Sequence, residues 1–204
     1  SGEKLDQAKA ALRQSLSSLR GTDRFRLIAF SSTVREFREG FTPATPDAVR
    51  GARMFVDALG ANGGTNIAGA LDAALGATVG QGRLPIVILL TDGIPSVGEQ
   101  SPERIADQAE QRLGRTRIFP IGVGSDVNTY LLDRLSVAGR GSVEYVAPDA
   151  SIETAVGALL GKIQHPALTN LRIVDSPVRL AQLTPSALPD LFYGQELVVF
   201  GRYQ

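Results

Sequence analysis

LPIVILLTDG, at residues 84–93, is the stretch that decides the fold class. No side chain from Leu84 to Leu90 is polar, and the polar turn Thr91-Asp92-Gly93 follows directly. A short, wholly apolar strand is typical of a parallel sheet that is covered on both faces. Because ligands of open α/β sheets bind beyond the carboxyl ends of the strands, Asp92 stands where a binding site is expected.

Helical and strand-like patterns alternate around this strand, along residues 1–164. Apolar residues three or four positions apart predict helices at residues 4–19, 46–59, 65–75, 102–113, 126–135 and 152–163. The predicted strands are at residues 25–30, 34–41, 85–90, 117–123 and 142–146, the first two as a hairpin. Helix starts are expected at Thr45, Thr65, Ser101 and Asp126. The alternation predicts an α/β domain with a doubly wound, mostly parallel sheet flanked by helices, as in Rossmann-like folds.

The pattern changes at His165-Pro166, where we predict a domain boundary. Residues 168–174 and 196–202 favour strands, and a proline-rich stretch joins them. The chain is therefore predicted to have two parts, a domain at residues 1–164 and a short β-rich extension at residues 165–204. Since two strands alone are only marginally stable in water, the extension is expected to pack on something else.

The composition excludes several classes of function. Lys and Arg together number 21, as do Asp and Glu, and a net charge near zero argues against broad, charge-driven binding of nucleic acid. No run of 18 apolar residues is present, so no bilayer-spanning helix is expected in this chain. The absence of cysteine excludes disulfides, thiolate zinc sites and cysteine nucleophiles. The single histidine, His165, lies in the apparent linker, which disfavours a catalytic histidine.

Two short motifs carry oxygen ligands that suit a hard divalent cation, Gly63-Gly64-Thr65-Asn66 and Thr91-Asp92-Gly93. Each has a plainer explanation, since Thr65 can be the N-cap of the helix that it opens and Asp92 can cap its turn. An anion cradle is a further alternative for the first motif, but no lysine stands where a P-loop has one. Gly122-Val123-Gly124 follows a strand, but Asp126 would repel a pyrophosphate there, so we interpret it as a turn.

Taken together, the first two motifs resemble those of the von Willebrand factor type A domain. That family has a metal-ion-dependent adhesion site (MIDAS) made of a D-x-S-x-S segment after the first strand, a later Thr and a later Asp, and Thr65 and Asp92 match the last two. The resemblance covers about residues 3–163 and includes Ala29-Phe30-Ser31 and residues 121–128. Residues 188–199 are similar to the region after this domain in inter-alpha-trypsin inhibitor heavy chains and their bacterial relatives.

The resemblance also implies parts that this chain lacks. No D-x-S-x-S segment occurs in it, and the family's first strand would lie between the strands predicted at residues 25–30 and 85–90. Without that strand, both neighbours would have unpaired buried backbone groups, each costing about 1–3 kcal/mol. We therefore expect a strand and a D-x-S-x-S segment upstream in the intact protein, in preference to a strand from another chain. Metal binding by this chain alone is expected to be weak or absent.

The function that the resemblance implies is protein binding, not catalysis. A divalent cation, Mg²⁺ or alternatively Mn²⁺ or Ca²⁺, would be held in part by Thr65 and Asp92 and would bridge to an Asp or Glu carboxylate of a partner protein. Relatives are mostly secreted or surface-attached, which implies an extracellular, periplasmic or cell-surface location. Two alternatives stay open. One is a metal-assisted hydrolase on the same fold, for which Glu99 is the nearest acidic residue after Asp92, and the other is a degenerate, metal-free scaffold.

Overall fold

The computed structural model describes residues 2–60, 63–78, 80, 82–163, 166–169, 171–185, 188, 190–192 and 196–203. It divides into two compact units, Ser1–Gly157 and Ala158–Gln204. The predicted boundary residue His165 lies outside the described residues, and a boundary after residue 164 stays a prediction. None of the helices in the described ranges combines the length and the apolar character needed to cross a bilayer.

Helices and strands alternate along the first unit, as predicted. Helix α1 (Gly2–Ser17) is followed by four short strands, β1 (Arg24–Phe25), β2 (Ile28–Phe30), β3 (Val34–Glu36) and β4 (Thr42–Pro43). The order then continues with α2 (Pro46–Asp57), α3 (Ile67–Leu75), β5 (Ile86–Thr91), α4 (Pro102–Arg112), β6 (Arg117–Val123), α5 (Thr129–Ala138), β7 (Glu144–Val146) and α6 (Ile152–Ile163), which ends in the second unit. The α/β class is confirmed.

Three of the strands form a parallel sheet in the order β5–β6–β7. Every residue of β6 is buried, as expected for the central strand of a parallel sheet. Its Ile118 belongs to a core cluster with residues of α3, α4 and α5, among them Ile67, Ile105 and Leu131. At the carboxyl end, Thr91 of β5 lies opposite Gly122 of β6, so the turns that follow both strands are at the same edge of the sheet.

The strand predicted at residues 25–30 is divided in two, because the chain changes its partner strand midway. β1 pairs with β4, whereas β2 pairs with β3 in the predicted antiparallel hairpin. Arg26 lies between β1 and β2, and its guanidinium donates to the Ala73 carbonyl at the end of α3 at 2.7 Å. The second strand, predicted at residues 34–41, ends at Glu36.

β5 is an open edge in the part of the chain that the structure describes. It pairs with β6 on one side only, and the β2–β3 hairpin forms a separate sheet. Four residues of this apolar strand are therefore only half-buried, Ile86, Val87, Ile88 and Leu90. The family resemblance implies a further strand beside β5, and the open edge leaves its backbone groups available to one.

Two of the predicted helix starts are confirmed. Thr45 caps α2 and Ser101 caps α4, and each hydroxyl accepts the backbone N–H three residues later, at 3.2 and 3.3 Å. Pro46 and Pro102 occupy the first position of each helix, where a missing N–H removes no helical hydrogen bond. The Ser/Thr-Pro pairs therefore predicted both boundaries correctly.

The other two predicted helix starts are wrong by one and two residues. Asn66 caps α3 in place of Thr65, and Asn128 caps α5 in place of Asp126. In both helices the Asn side-chain oxygen accepts the N–H three residues later at 2.9 Å. Asn is a stronger N-cap than Thr, which accounts for the choice at α3.

The second unit is β-type, as predicted, but only partly in the predicted places. β8 (Pro166–Leu168) pairs antiparallel with β10 (Leu191–Phe192), and β9 (Leu180–Thr184) pairs with β11 (Phe200–Tyr203). The strand predicted at residues 168–174 is wrong beyond Leu168, and the one predicted at residues 196–202 begins only at Phe200. Sequence reasoning missed β9 and β10 because they are short and lie in the proline-rich stretch, and their partners are distant in sequence.

Candidate metal centre

Thr65 lies at the carboxyl edge of the parallel sheet, against the turn that follows β5. A methyl group added at Gly93 would lie 3.2 Å from the Thr65 hydroxyl oxygen. Ser96 and Val97 of the same loop donate their backbone N–H groups to the Thr65 carbonyl, at 3.0 and 3.4 Å. Since Asn66 caps α3, the Thr65 hydroxyl is free of that role, and it has no hydrogen-bond partner among the described residues.

The Asp92 side chain likewise has no part in closing its turn, because the Thr91 side chain makes the hydrogen bonds that close it. The buried Thr91 hydroxyl accepts from the Gly93 N–H at 3.4 Å and donates to the Gly93 carbonyl at 3.2 Å. Asp92 is exposed, and its carboxylate makes no hydrogen bond or ion pair within the described ranges. The turn-capping explanation of Asp92 is therefore wrong, as is the helix-capping explanation of Thr65.

The two side chains offer the kinds of oxygen that a hard divalent cation takes. One is a neutral hydroxyl and the other a carboxylate, and neither is occupied by a protein partner within the described ranges. They fit such a cation, but two groups do not fill a coordination sphere of six oxygens. No cluster of three or more His, Asp and Glu side chains able to hold a metal occurs among the described residues.

Two serines that sequence reasoning missed hold the backbone at Thr65. The Ser32 hydroxyl accepts from the Gly64 N–H, and the Ser96 hydroxyl accepts from the Thr65 N–H, both at 2.8 Å. The bonded residues are 32 and 31 positions apart in the sequence. A local sequence pattern therefore does not identify these two serines. A serine directly after a strand is only a weak signal, because it indicates no more than a polar residue at the sheet edge.

The Gly122-Val123-Gly124 stretch, interpreted from the sequence as a turn, is the end of β6 and the start of the turn that follows, since Gly122 and Val123 are the last two residues of the strand. Gly124 has a φ of +83°, a conformation that favours glycine. A methyl group at Gly122 would lie only 2.9 Å from the side chain of Leu132. Lys4 of α1 approaches the same turn, with its Nζ 2.6 Å from where a methyl group on Gly124 would be.

Glu99, the candidate base of the hydrolase alternative, is committed to the start of α4. One of its carboxylate oxygens accepts the backbone N–H groups of Gln100 and Ser101, at 3.0 and 2.9 Å. The other accepts from the Arg104 guanidinium at 3.3 Å. The hydrogen bond from Ser101 is the largest of the effects that hold the pKa of Glu99 below its usual value, which makes this carboxylate a weaker base.

Comparison with known proteins gives the family. The family model of the von Willebrand factor type A domain matches residues 1–145, most of the chain. The chain belongs to this family. Among curated relatives, human inter-alpha-trypsin inhibitor heavy chain H4 is 32% identical over all of this chain, which spans 23% of that protein. Human heavy chain H6 is also 32% identical over all of this chain, which spans 16% of it.

Solved structures agree with the fold of this A domain. The von Willebrand factor type A protein from Catenulispora acidiphila has a TM-score of 0.72 and 21% identity, over 88% of this chain and 40% of that one. Proximal thread matrix protein 1 from the mussel byssus, solved with a zinc-occupied MIDAS motif, has a TM-score of 0.59 and 20% identity, over 76% of this chain and 39% of that one. At these identities the likeness extends to the fold alone.

Proposed function

We propose that this A domain is a protein-binding module in which a divalent cation joins the domain to an acidic side chain of a partner protein. The observation that carries the proposal is the placement of the Thr65 hydroxyl against the turn that contains Asp92. The local roles that would otherwise explain these residues belong to Asn66 and Thr91. Domains of this family are commonly metal-dependent interaction modules, which supports the same assignment.

Thr65 and Asp92 would hold the cation together with further oxygen ligands. Mg²⁺, or alternatively Mn²⁺ or Ca²⁺, would supply a link between carboxylates that otherwise repel each other. The Thr65 hydroxyl contributes a neutral ligand, and the Asp92 carboxylate balances part of the charge. An Asp or Glu of the partner takes a remaining position, so partner binding depends on both the metal and that carboxylate. With two protein ligands, this chain alone is expected to bind the metal weakly or not at all.

A strand upstream in the same protein is the source that we propose for the remaining ligands. The open edge of β5 and its half-buried Ile86, Val87 and Ile88 support a place for a strand there. Neighbouring strands lie about 4.8 Å apart, so one added strand would pair with the free backbone groups of β5. The D-x-S-x-S segment expected after that strand would then reach the same sheet edge as Asp92.

The remaining expectations about function are also proposals. The domain binds and does not catalyse, since Glu99 is engaged by α4 and Arg104. We expect no nucleic-acid partner, because the basic and acidic residues are equal in number. By resemblance to the family, we place the protein in an extracellular, periplasmic or cell-surface location.

Calorimetric titration of Mg²⁺ into the full-length protein tests this function. Wild-type protein is expected to bind Mg²⁺, and Thr65→Ala and Asp92→Ala to lose most of the affinity. Asp149→Ala removes a carboxylate that is also exposed and is expected to bind as wild type. Absence of Mg²⁺, Mn²⁺ and Ca²⁺ binding by the wild-type protein would favour the metal-free scaffold. Metal-dependent hydrolysis that disappears in Asp92→Ala would favour the hydrolase.

A further inference from the structure

We propose that Ser32 and Ser96 are positioning residues that clamp the Gly63–Asn66 segment from both sides and so fix the Thr65 hydroxyl at the sheet edge. The inference rests on the proposed function, and it assigns a role to two residues that belong to neither metal-binding motif. Ser32 follows β2, and Ser96 lies in the loop after β5. The clamp therefore joins the hairpin to the parallel sheet, which are not paired with each other in the described part of the chain.

Backbone bonds strengthen both sides of the clamp. On the hairpin side, the Asn66 N–H donates to the Ser31 carbonyl at 2.9 Å, beside the bond from the Gly64 N–H to the Ser32 hydroxyl. On the other side, Thr65 both donates to the Ser96 hydroxyl and accepts from the Ser96 N–H. Thr65 is thus fixed through its own N–H and C=O, which leaves its side chain as the group free to bind.

The two glycines before Thr65 are explained by the closeness of the serines. A methyl group at Gly63 would lie 2.6 Å from the Ser32 hydroxyl oxygen. At Gly64 it would lie 2.8 Å from the Ser96 hydroxyl oxygen and 2.6 Å from a methyl of Val97. A side chain at either position would therefore displace the neighbouring serine hydroxyl from the position in which it bonds the segment. Gly63 also has a φ of +87°, which favours glycine.

The chemistry of the bonds suits a positioning role. Each serine hydroxyl accepts from a backbone N–H that no helix or strand uses, since Gly64 and Thr65 precede α3. A serine replaced by alanine leaves that N–H without its partner, and the segment gains freedom. Because Thr65 is the proposed ligand, that freedom should appear as weaker metal binding even though no ligand atom has been removed. Groups that support metal ligands in this way typically change affinity about 10–100-fold when mutated.

Residue-resolved amide exchange and Mg²⁺ titration of the full-length protein test the clamp. Ser32→Ala is expected to speed exchange at Gly64, and Ser96→Ala at Thr65, each about two- to tenfold, as expected for loss of one hydrogen bond. Both variants should bind Mg²⁺ about tenfold more weakly. Ser125→Ala, an exposed serine after β6 that makes no hydrogen bond among the described residues, is the matched control and should change neither quantity.

The two measurements separate failure of the clamp from failure of the proposed function. Unchanged exchange at Gly64 and Thr65 in both variants overturns the clamp, whatever the metal does. Faster exchange with unchanged Mg²⁺ affinity overturns the positioning role while the metal site stands. If the wild-type protein binds no Mg²⁺, the proposed function fails. Amide exchange alone then decides whether the clamp exists.

Discussion

Asn66 accepts a hydrogen bond from the Gly69 N–H at 2.9 Å and so caps α3 one residue beyond Thr65. This division of roles between neighbours is what frees the Thr65 hydroxyl. A helix that used Thr65 as its cap would turn that hydroxyl toward its own first-turn N–H groups. The identity of residue 66 therefore bears on the proposed metal site as well as on the stability of α3.

Asn66→Ala is expected to destabilise the domain by about 1 kcal/mol through loss of the cap. It should also weaken Mg²⁺ binding, because Thr65 loses its fixed neighbour. Asn128→Ala removes the equivalent 2.9 Å cap of α5 and provides the control. Urea denaturation should give similar losses for both variants, and calorimetry should show weaker Mg²⁺ binding for Asn66→Ala only. Equal Mg²⁺ affinities of the two variants would contradict the link between the cap and the site.

Gly93→Ala is expected to disturb the site without removing a ligand. The added methyl group would lie 3.2 Å from the Thr65 hydroxyl oxygen, a tight contact that shifts the hydroxyl by a few tenths of an ångström. We expect Mg²⁺ affinity of the full-length protein to fall about tenfold in calorimetric titration. Gly21→Ala adds a methyl group with no heavy atom within 4 Å and should leave affinity unchanged. Wild-type affinity in Gly93→Ala would contradict the expectation that this contact holds the Thr65 hydroxyl in its binding position.

Arg26→Ala is expected to destabilise the domain by about 3 kcal/mol, because it leaves a partly buried carboxylate without its cation. Arg26 pairs with Glu36 at 2.6 Å, and the two side chains are 10% and 26% exposed. Arg112→Ala also breaks an ion pair with a neighbouring element, but that arginine and its partner, Asp72, are 54% and 56% exposed. It should cost less than about 1 kcal/mol. Urea denaturation that ranks the two variants in the opposite order would contradict this assignment.

Glu99 is expected to make the free energy of unfolding of the domain depend on pH. Its folded pKa lies below the ordinary value of 4.5, chiefly because the Ser101 N–H bonds to the carboxylate. A lowered folded pKa means that the stabilisation is fully present above the unfolded pKa and is lost as the pH falls through the folded pKa. Glu99→Gln should therefore reduce the fall in stability on acidification. Urea denaturation of both proteins from pH 6 to about pH 3 measures the difference.

Arg104→Ala separates the causes of that shift. Arg104 interacts with Glu99 at 3.3 Å, and its hydrogen bond and its charge each lower the pKa of Glu99 by less than the Ser101 hydrogen bond does. In an NMR titration of the variant, the pKa of Glu99 should rise relative to that of the wild type, because two of the interactions that lower it are removed. A return to the ordinary value would mean that the ion pair dominates.

An upstream strand that pairs with the open edge of β5 should protect the N–H groups of that edge from hydrogen exchange. We expect the N–H groups of β5 that point away from β6 to exchange rapidly in this chain alone and slowly in a protein that includes the preceding residues. Residue-resolved hydrogen exchange measures this, and the central strand β6, buried throughout, provides the control within each sample. Equal exchange of those β5 groups in both proteins would contradict the proposed strand.

The elements that sequence patterns predicted well are those whose cause is local. Pro46 and Pro102, each after a capping hydroxyl, set the starts of α2 and α4. The buried strand β6 was predicted with its observed bounds, because an apolar run of that length suits one central position in a parallel sheet. β1 and β2 were predicted as one strand, since the change of partner at Arg26 depends on residues far along the chain.

The sequence by itself determined the α/β alternation, the family resemblance and the two candidate ligands, because apolar periodicity and the two motifs are properties of short segments. Only the tertiary structure decided that Ser32 and Ser96 hold the segment at Thr65, and that the turn containing Asp92 lies against it. The physical reason is that a hydroxyl bonds to whichever backbone group lies within about 3 Å of it. The Ser96 hydroxyl, which accepts from the Thr65 N–H, is 31 residues away in sequence, and only folding brings the two groups together.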